Sequence, residues 1–209
     1  MPLSLFDGIV YINLDCRKDR KETFLQEMER LNVPEEKIHR IAAHHDPLNG
    51  IKGCILSHLD ALSYIKQQGW ERGIIFEDDC LFTEDLESFK QSISTFFQQV
   101  GSDWDVFFLG GNYIKYQKAP WKNFLQIHWS RRSHAYCIRK GYIPVLAECY
   151  ERAYEKIKNC LWMTQCFHDS LDYAWEDLQM KGRWYAHQQS SAFQSASFSD
   201  IECRDRGMR

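Results

Sequence analysis

The sequence predicts an α/β fold: one domain with a mostly parallel central sheet flanked by helices. Three observations carry that expectation. From residue 7 to residue 111, short apolar runs of strand length alternate with longer runs whose apolar residues recur at helical spacing. The 209 residues, 44% hydrophobic and 26% charged, suffice for one packed core with an ordinary globular surface. No internal repeat or low-complexity linker divides the chain.

The elements follow in order. Residues 7–14, DGIVYINL, are apolar and β-rich and read as a buried strand. Residues 17–31 place Phe24, Leu25, Met28 and Leu31 at helical spacing among charges, and Pro34 ends that helix. IHRIAA at 38–43 reads as a second strand and residues 47–50 as a loop. Over 51–67 the set Ile55, Leu56, Leu59, Leu62 and Ile65 predicts a helix closed by Gly69. GIIFEDDC at 73–80 is an apolar strand running into three acids. A helix over 84–100 and the strand WDVFFLGG at 104–111 complete this half. Beyond it, FLQIHW (124–129) and HAYCIR (134–139) flank Ser130-Arg131-Arg132 and predict a hairpin, and helices are expected at 140–158 and 169–181. The Ser- and Gln-rich tail from 188 to 200 shows no period.

Composition excludes several classes. Lys and Arg number 26 against 29 Asp and Glu, a net charge of −3, which gives no footprint for nucleic-acid binding. No apolar run approaches the roughly 20 residues a membrane helix needs. Met1 to Val10 carries Asp7 and no basic stretch, so it does not read as a signal peptide. The cysteines at 16, 54, 80, 137, 149, 160, 166 and 203 contain no C-x-x-C and read as reduced, buried thiols. That favours a cytoplasmic or otherwise reducing compartment. His and Cys show no paired ligand spacing to this reading, so zinc is not expected.

Three segments carry chemistry. Glu77-Asp78-Asp79 closes a buried strand, at the strand end where open α/β sheets bind ligands. Crowded carboxylates repel one another, and a divalent cation relieves the conflict; hard oxygen donors select Mg²⁺ or Mn²⁺. Side chains alternate along an extended chain, so Glu77 and Asp79 share a side and can share one ion, with Asp78 facing away. A solvated acidic loop is the plain alternative. Asn13-Leu14-Asp15-Cys16-Arg17-Lys18-Asp19-Arg20 is a basic loop entering a helix N-terminus, suited to phosphates or, more plainly, to surface ion pairs. Gly53-Cys54-Ile55-Leu56-Ser57-His58 presents Ser57 and His58 one turn into the next helix.

Together these segments resemble glycosyltransferase family 25, the lipooligosaccharide and collagen galactosyltransferase family. The matching pieces are Tyr11-Ile12-Asn13-Leu14-Asp15-Cys16-Arg17-Lys18-Asp19-Arg20, Gly53-Cys54-Ile55-Leu56-Ser57-His58, Glu77-Asp78-Asp79, and Trp104-Asp105-Val106-Phe107-Phe108-Leu109-Gly110, in that order. The resemblance is specific over about 7–111. Beyond, it rests on Ser133-His134-Ala135-Tyr136, Ser170-Leu171-Asp172-Tyr173 and the tail from Gln194-Ser195 to Asp200-Ile201. Two residues depart from the pattern: Cys16, where a basic or polar residue is usual, and Lys52, where Ile is common.

The resemblance implies a GT-A-type fold with a Rossmann-like sheet, its nucleotide-sugar half about 1–111 and its acceptor half about 112–209. It implies transfer of galactose or glucose from a UDP-sugar to a hydroxyl of a glycan, glycoprotein or hydroxylated peptide, as in polysaccharide biosynthesis, with inversion. Glu77, Asp78 and Asp79 would hold Mn²⁺ or Mg²⁺ as a DxD-like motif. Asn13, Leu14, Arg17, Arg20, Ser57, His58 and Asp78 would line the nucleotide side. Asp172 best matches the family's base, with Asp169 as its rival; a helix N-terminal acid is the plain reading of either. Trp129, Arg131 and Arg132 form a cationic-aromatic patch suited to a sugar or a phosphorylated acceptor. A Mg²⁺-dependent phosphohydrolase and an inactive sugar-nucleotide-binding module are the competing readings.

Overall fold

A computed structural model describes residues 1–195, together with the backbone of 197–199 and 204–206. Asp200, Ile201 and Cys203 lie outside the described residues. The elements are β1 (Gly8–Asn13), α1 (Lys18–Arg30), β2 (Ile38–Ala42), α2 (Gly50–Gln68), β3 (Arg72–Glu77), β4 (Cys80–Phe82) and α3 (Leu86–Val100). They continue with β5 (Val106–Lys118), β6 (Phe124–Arg139), α4 (Ile143–Ile157), α5 (Leu171–Ala174), α6 (Glu176–Lys181), β7 (Trp184–His187) and β8 (Ala192–Gln194).

The central sheet has the strand order β2-β1-β3-β6-β5-β7. β1 pairs in parallel with β2 and β3, and β5 with β7. β6 opposes each strand it touches. Because β3 and β5 both oppose β6, all strands but β6 run the same way, as the sequence predicts. The carboxyl ends of β1, β2, β3 and β5 therefore share one edge. β4 and β8 form a separate two-stranded ribbon.

Alternation along the strands builds two apolar layers. Val10, Ile12, Ile75, Val106 and Phe108 pack with residues of α2 and α4, among them Ile55, Leu62 and Leu146. Their neighbours Ile9, Tyr11, Ile74, Phe76 and Phe107 face the other way, onto Phe24 and Met28 of α1 and Phe89, Ile93 and Phe96 of α3. Phe96 stacks on Phe107 at 4.0 Å between centroids. Asp85 caps α3, its carboxylate accepting from the Ser88 amide at 2.9 Å, and Gly69 closes α2 with φ of 73°. Among the described residues no helix is long and apolar enough to cross a membrane.

The structure corrects several sequence expectations. Leu25 is exposed, because the stripe Phe24–Met28–Leu31 already fills the face of α1. In α2, Leu56 and Leu59 are only half-buried, while Ser57, His58 and Ala61 are buried. The expected hairpin at 130–132 does not form. β6 runs unbroken through it and pairs with β5, which extends to Lys118, so the chain reverses at 119–123 instead. The turn-like residues mark a bulge: Arg131 pairs with Asn112 and Ala135 with Gly110, and Arg132 takes φ of 75°. The helix expected at 169–181 is broken at Trp175 into α5 and α6, since that indole is fully buried against Phe108 and Trp184. Cys16 is exposed; no disulfide joins the seven described cysteines, of which Cys80, Cys137, Cys149 and Cys166 are buried.

Candidate active site

At the common carboxyl edge of the parallel strands the surface opens into a cleft with two lobes. One, about 100 Å³, is lined by Ile12, Leu14, Arg20, the loop at 43–46, Ser57, His58 and Glu77-Asp78-Asp79. The other, about 250 Å³, is lined by Asn112, Arg131, Arg132, Ser133, Phe167, the segment at 170–173 and Gln194. Cys54 and Glu77 border both lobes and form the neck between them.

The first lobe is built by β1, α1 and the end of β3. Asn13, 2% exposed, donates through Nδ2 to Asp78 Oδ2 at 2.7 Å and to the Arg17 carbonyl at 3.0 Å. Arg20 Nη1 donates to Asp78 Oδ1 at 3.0 Å and stands 4.0 Å from Asp79 Oδ2. Arg40, on β2, donates to Asn13 Oδ1 at 3.0 Å and to the Asn13 carbonyl at 2.9 Å. Arg20 thus braces the acidic strand end directly, and Arg40 does so through Asn13. Arg17 pairs with Asp19 at 2.8 Å and is not among the residues lining the lobe. Burial pushes the Asp78 carboxyl up against the pull of Arg20 and Asn13, with a smaller upward push from the neighbouring Glu77 charge, and the net shift is upward.

Glu77 is half-buried. Burial works against its charge, but His58 and the Ser133 hydroxyl, which donates to Oε1 at 2.7 Å, hold its carboxyl well below the usual range. His134, 2% exposed beside it, is driven down to about 4 by burial, against the pull of Glu77. Its ring is therefore neutral near pH 7.

The glycine and serine of the Gly53–His58 motif act on the backbone. A Cβ at Gly53 would lie 2.3 Å from the His44 carbonyl oxygen. One turn on, Ser57 Oγ donates to the Gly53 carbonyl at 2.6 Å and accepts from the His44 amide at 2.9 Å. Lys52, the departure from the family pattern, grips the same loop through Asp46 at 2.9 Å. So α2 seats the loop carrying His44, His45 and Asp46, which walls the first lobe. Gly53→Ala is expected to cost about 1–3 kcal/mol by forcing that loop outward. Urea unfolding checks the cost, and an unchanged midpoint would contradict the close approach.

His58, the last residue of the motif, is 1% exposed with Nδ1 3.0 Å from the Tyr136 hydroxyl. The sequence reading missed that Cys54 and His58 stand four residues apart on one helical face; here both border the first lobe. It also passed over Arg40 and gave Ser133, quoted only for the resemblance, no role: the roles of both depend on strand neighbours distant in the chain.

In the second lobe Asp172 begins α5. Its Oδ2 accepts from the Arg132 amide at 3.0 Å and its Oδ1 from Ser170 Oγ at 2.8 Å. The β6 bulge is what turns that amide toward α5. Asp169 lies in a different hollow, with Ala153, Lys156 and His168, 3.8 Å from Lys156 Nζ. The cleft therefore brings Asp172 toward Glu77 and leaves Asp169 out. The Arg131 guanidinium lies 3.5 Å over Tyr173 and 4.8 Å from Trp129, and donates to the Asp172 carbonyl at 2.9 Å. The cationic-aromatic patch thus anchors α5 to β6. The chain returns to the cleft at 194–195: Ser195 N donates to the Asp79 carbonyl at 2.7 Å, and Cys80 pairs with Gln194.

Residues 35–128 match the family described as glycosyltransferase family 25 (LPS biosynthesis protein). Procollagen galactosyltransferase 1 of Danio rerio is 27% identical over 150 residues, 59% of this chain and 24% of that protein. Procollagen galactosyltransferase 2 of Homo sapiens is 27% identical over 129 residues, 50% of this chain and 21% of that protein. The chain thus spans about a quarter of the length of the curated relatives it matches. Among solved structures, a glycosyltransferase involved in the glycosylation of the major capsid of PBCV-1 superposes with a TM-score of 0.54 at 6% identity, covering 93% of this chain and 95% of that one. A mannose-1-phosphate geranyltransferase from Thermus thermophilus gives 0.51 at 10% identity, covering 93% and 75%. At such identities the likeness is one of fold, and the fold is GT-A-like. The match over residues 35–128 and the named relatives agree, and what the chain is similar to is glycosyltransferase family 25.

Proposed function

We propose that the chain is a metal-dependent glycosyltransferase that moves galactose or glucose from a UDP-sugar to a hydroxyl of a glycan or hydroxylated peptide, with inversion. The observation that carries this reading is the two-lobed cleft: the lobe at the end of β1 and β3 would take the nucleotide sugar, and the lobe holding Asp172 would take the acceptor, with Glu77 at the neck.

The donor set fits a hard divalent cation. Glu77 and Asp79 border the donor lobe with carboxylate oxygens, whereas both oxygens of Asp78 already accept from Asn13 and Arg20. Glu77 and Asp79 would hold Mn²⁺ or Mg²⁺, and Asp78 would position the strand end rather than ligate. When bound, such an ion neutralises the charge that grows on the departing diphosphate. Arg20 adds positive charge on the same side. Asp172 would take the proton of the acceptor hydroxyl as that oxygen attacks the anomeric carbon and the bond to the diphosphate breaks. Its hydrogen bonds to the Arg132 amide and Ser170 fix the carboxylate's direction.

Thermal unfolding with UDP, GDP, CMP and ADP, each with and without Mn²⁺, tests the donor side. A ligand at about 100 times its Kd stabilises by about 2.7 kcal/mol, so a Mn²⁺-dependent UDP shift of about 5–10 °C is expected for a chain of this size. No shift with any nucleotide, or a larger one with a purine nucleotide, would overturn the UDP-sugar reading.

A further inference from the structure

The neck between the lobes gathers a second kind of ligand set. Cys54 Sγ, His58 Nε2 and a Glu77 carboxylate oxygen lie within 4.8 Å of one another. α2 supplies the first two from one face, at i and i+4, and the end of β3 supplies the third. His58 is 1% exposed, and its buried Nε2 has no hydrogen-bond partner. That nitrogen faces Glu77 Oε1 at 3.7 Å, beyond hydrogen-bond reach, a contact that is an ion pair only when the ring is protonated. Leaving a buried polar atom unmet is costly, and a cation at the centre of the three groups would meet it.

We propose that Cys54, His58 and Glu77 form a site for a borderline-soft divalent ion such as Zn²⁺. Thiolate, imidazole and carboxylate together suit zinc, and three protein ligands leave one position open; a hard ion prefers the carboxylates of Glu77 and Asp79. The surroundings suit ligation. The Tyr136 hydroxyl lies 3.0 Å from His58 Nδ1, where accepting a proton from that nitrogen leaves the Nε2 lone pair toward the site. Ser133 Oγ steadies Glu77 at 2.7 Å. On binding, the ion replaces the Cys54 thiol proton, which passes to solvent.

The consequence is regulatory. Glu77 belongs to both donor sets, so an ion held by Cys54 and His58 competes for it with one held beside Asp79. Zinc at the neck would also separate the donor lobe from the acceptor lobe. This site goes beyond the transfer reading, because its ligands are defined by the geometry of α2 and β3 alone.

Cobalt titration of the whole chain, without nucleotide, tests it. One equivalent of Co²⁺ is expected to give thiolate-to-cobalt charge-transfer absorption that Zn²⁺ then bleaches. Cys54→Ser should lose the band, and His58→Asn should weaken binding by about 10- to 100-fold or more, the range seen on loss even of an outer-sphere partner. Asp79→Asn should keep the band. Absence of the band in the unaltered chain, or its survival at full strength in Cys54→Ser, overturns the proposal, the latter pointing to another thiol such as the exposed Cys16. Should Cys54→Ser fail to fold, alkylation of the unaltered chain decides: Zn²⁺ is expected to protect Cys54, and equal labelling with and without Zn²⁺ overturns the site. Because no nucleotide is used, failure here is distinct from failure of the UDP shift.

Discussion

Asp172→Asn is expected to lower sugar transfer by about 10²- to 10⁴-fold while the Mn²⁺-dependent UDP shift persists. The amide keeps the shape of the carboxylate, and its oxygen can still accept from the Arg132 amide or Ser170, so the fold of α5 survives. What it loses is the ability to take a proton from the acceptor hydroxyl. Asp169→Asn is the matched control, since that side chain faces Lys156 in another hollow and its loss should leave transfer intact. Initial rates with a UDP-hexose and an acceptor panel, beside thermal shifts on the same variants, check both. If Asp169→Asn were the silent enzyme and Asp172→Asn the active one, the assignment of the base would be reversed.

Asp105→Ala is expected to produce the largest loss of stability without touching the cleft. Asp105, 4% exposed, accepts from the Arg183 amide at 3.0 Å, from Arg183 Nη2 at 2.7 Å and from Arg139 at 3.4 Å. It thereby joins the start of β5 to the end of β6 and the start of β7. Removing one partner of a buried pair costs about 3–5 kcal/mol; with Arg183 41% exposed, about 2–3 kcal/mol is expected here, or about 5–10 °C in Tm. The pH dependence follows from the same contacts. Burial opposes the Asp105 charge, but Arg183 and then Arg139 outweigh it and hold its pKa below the ordinary value. A depressed folded pKa means the contribution is complete above the unfolded carboxylate value of about 3.9 and is lost as pH falls through the lower folded value. The gap in Tm between the unaltered chain and Asp105→Ala should therefore be constant near neutrality and close in acid. A gap unchanged down to the acid limit would show that Asp105 acts by packing rather than by charge.

Much of the fold was legible in the chain. The runs at 7–14, 73–80 and 104–111 are apolar on both faces because their strands are covered on both sides, and periodicity finds such strands readily. The second half was misread at 130–132 for a physical reason. A bulge and a turn use the same polar residues and the same positive φ, and only the pairing of β6 with the far end of β5 tells them apart. Residues 169–181 failed likewise: the break at Trp175 is set by where the indole packs, not by a local helix stop.

The candidate site divides along the same line. By itself the sequence determined the parallel α/β frame, the acidic end of β3, the basic loop after β1 and the motif that opens α2, because each is a local pattern of residue types. Only the tertiary structure decided which of these groups meet. It turned Asp78 onto Arg20 and Asn13, spent the Ser57 hydroxyl on the backbone, chose Asp172 over Asp169 as the cleft's acid, and brought Cys54 and His58 to Glu77. Contacts between strands and helices far apart in sequence are fixed by sheet order and by the register shifts between β5 and β6, and neither can be read from composition or spacing alone.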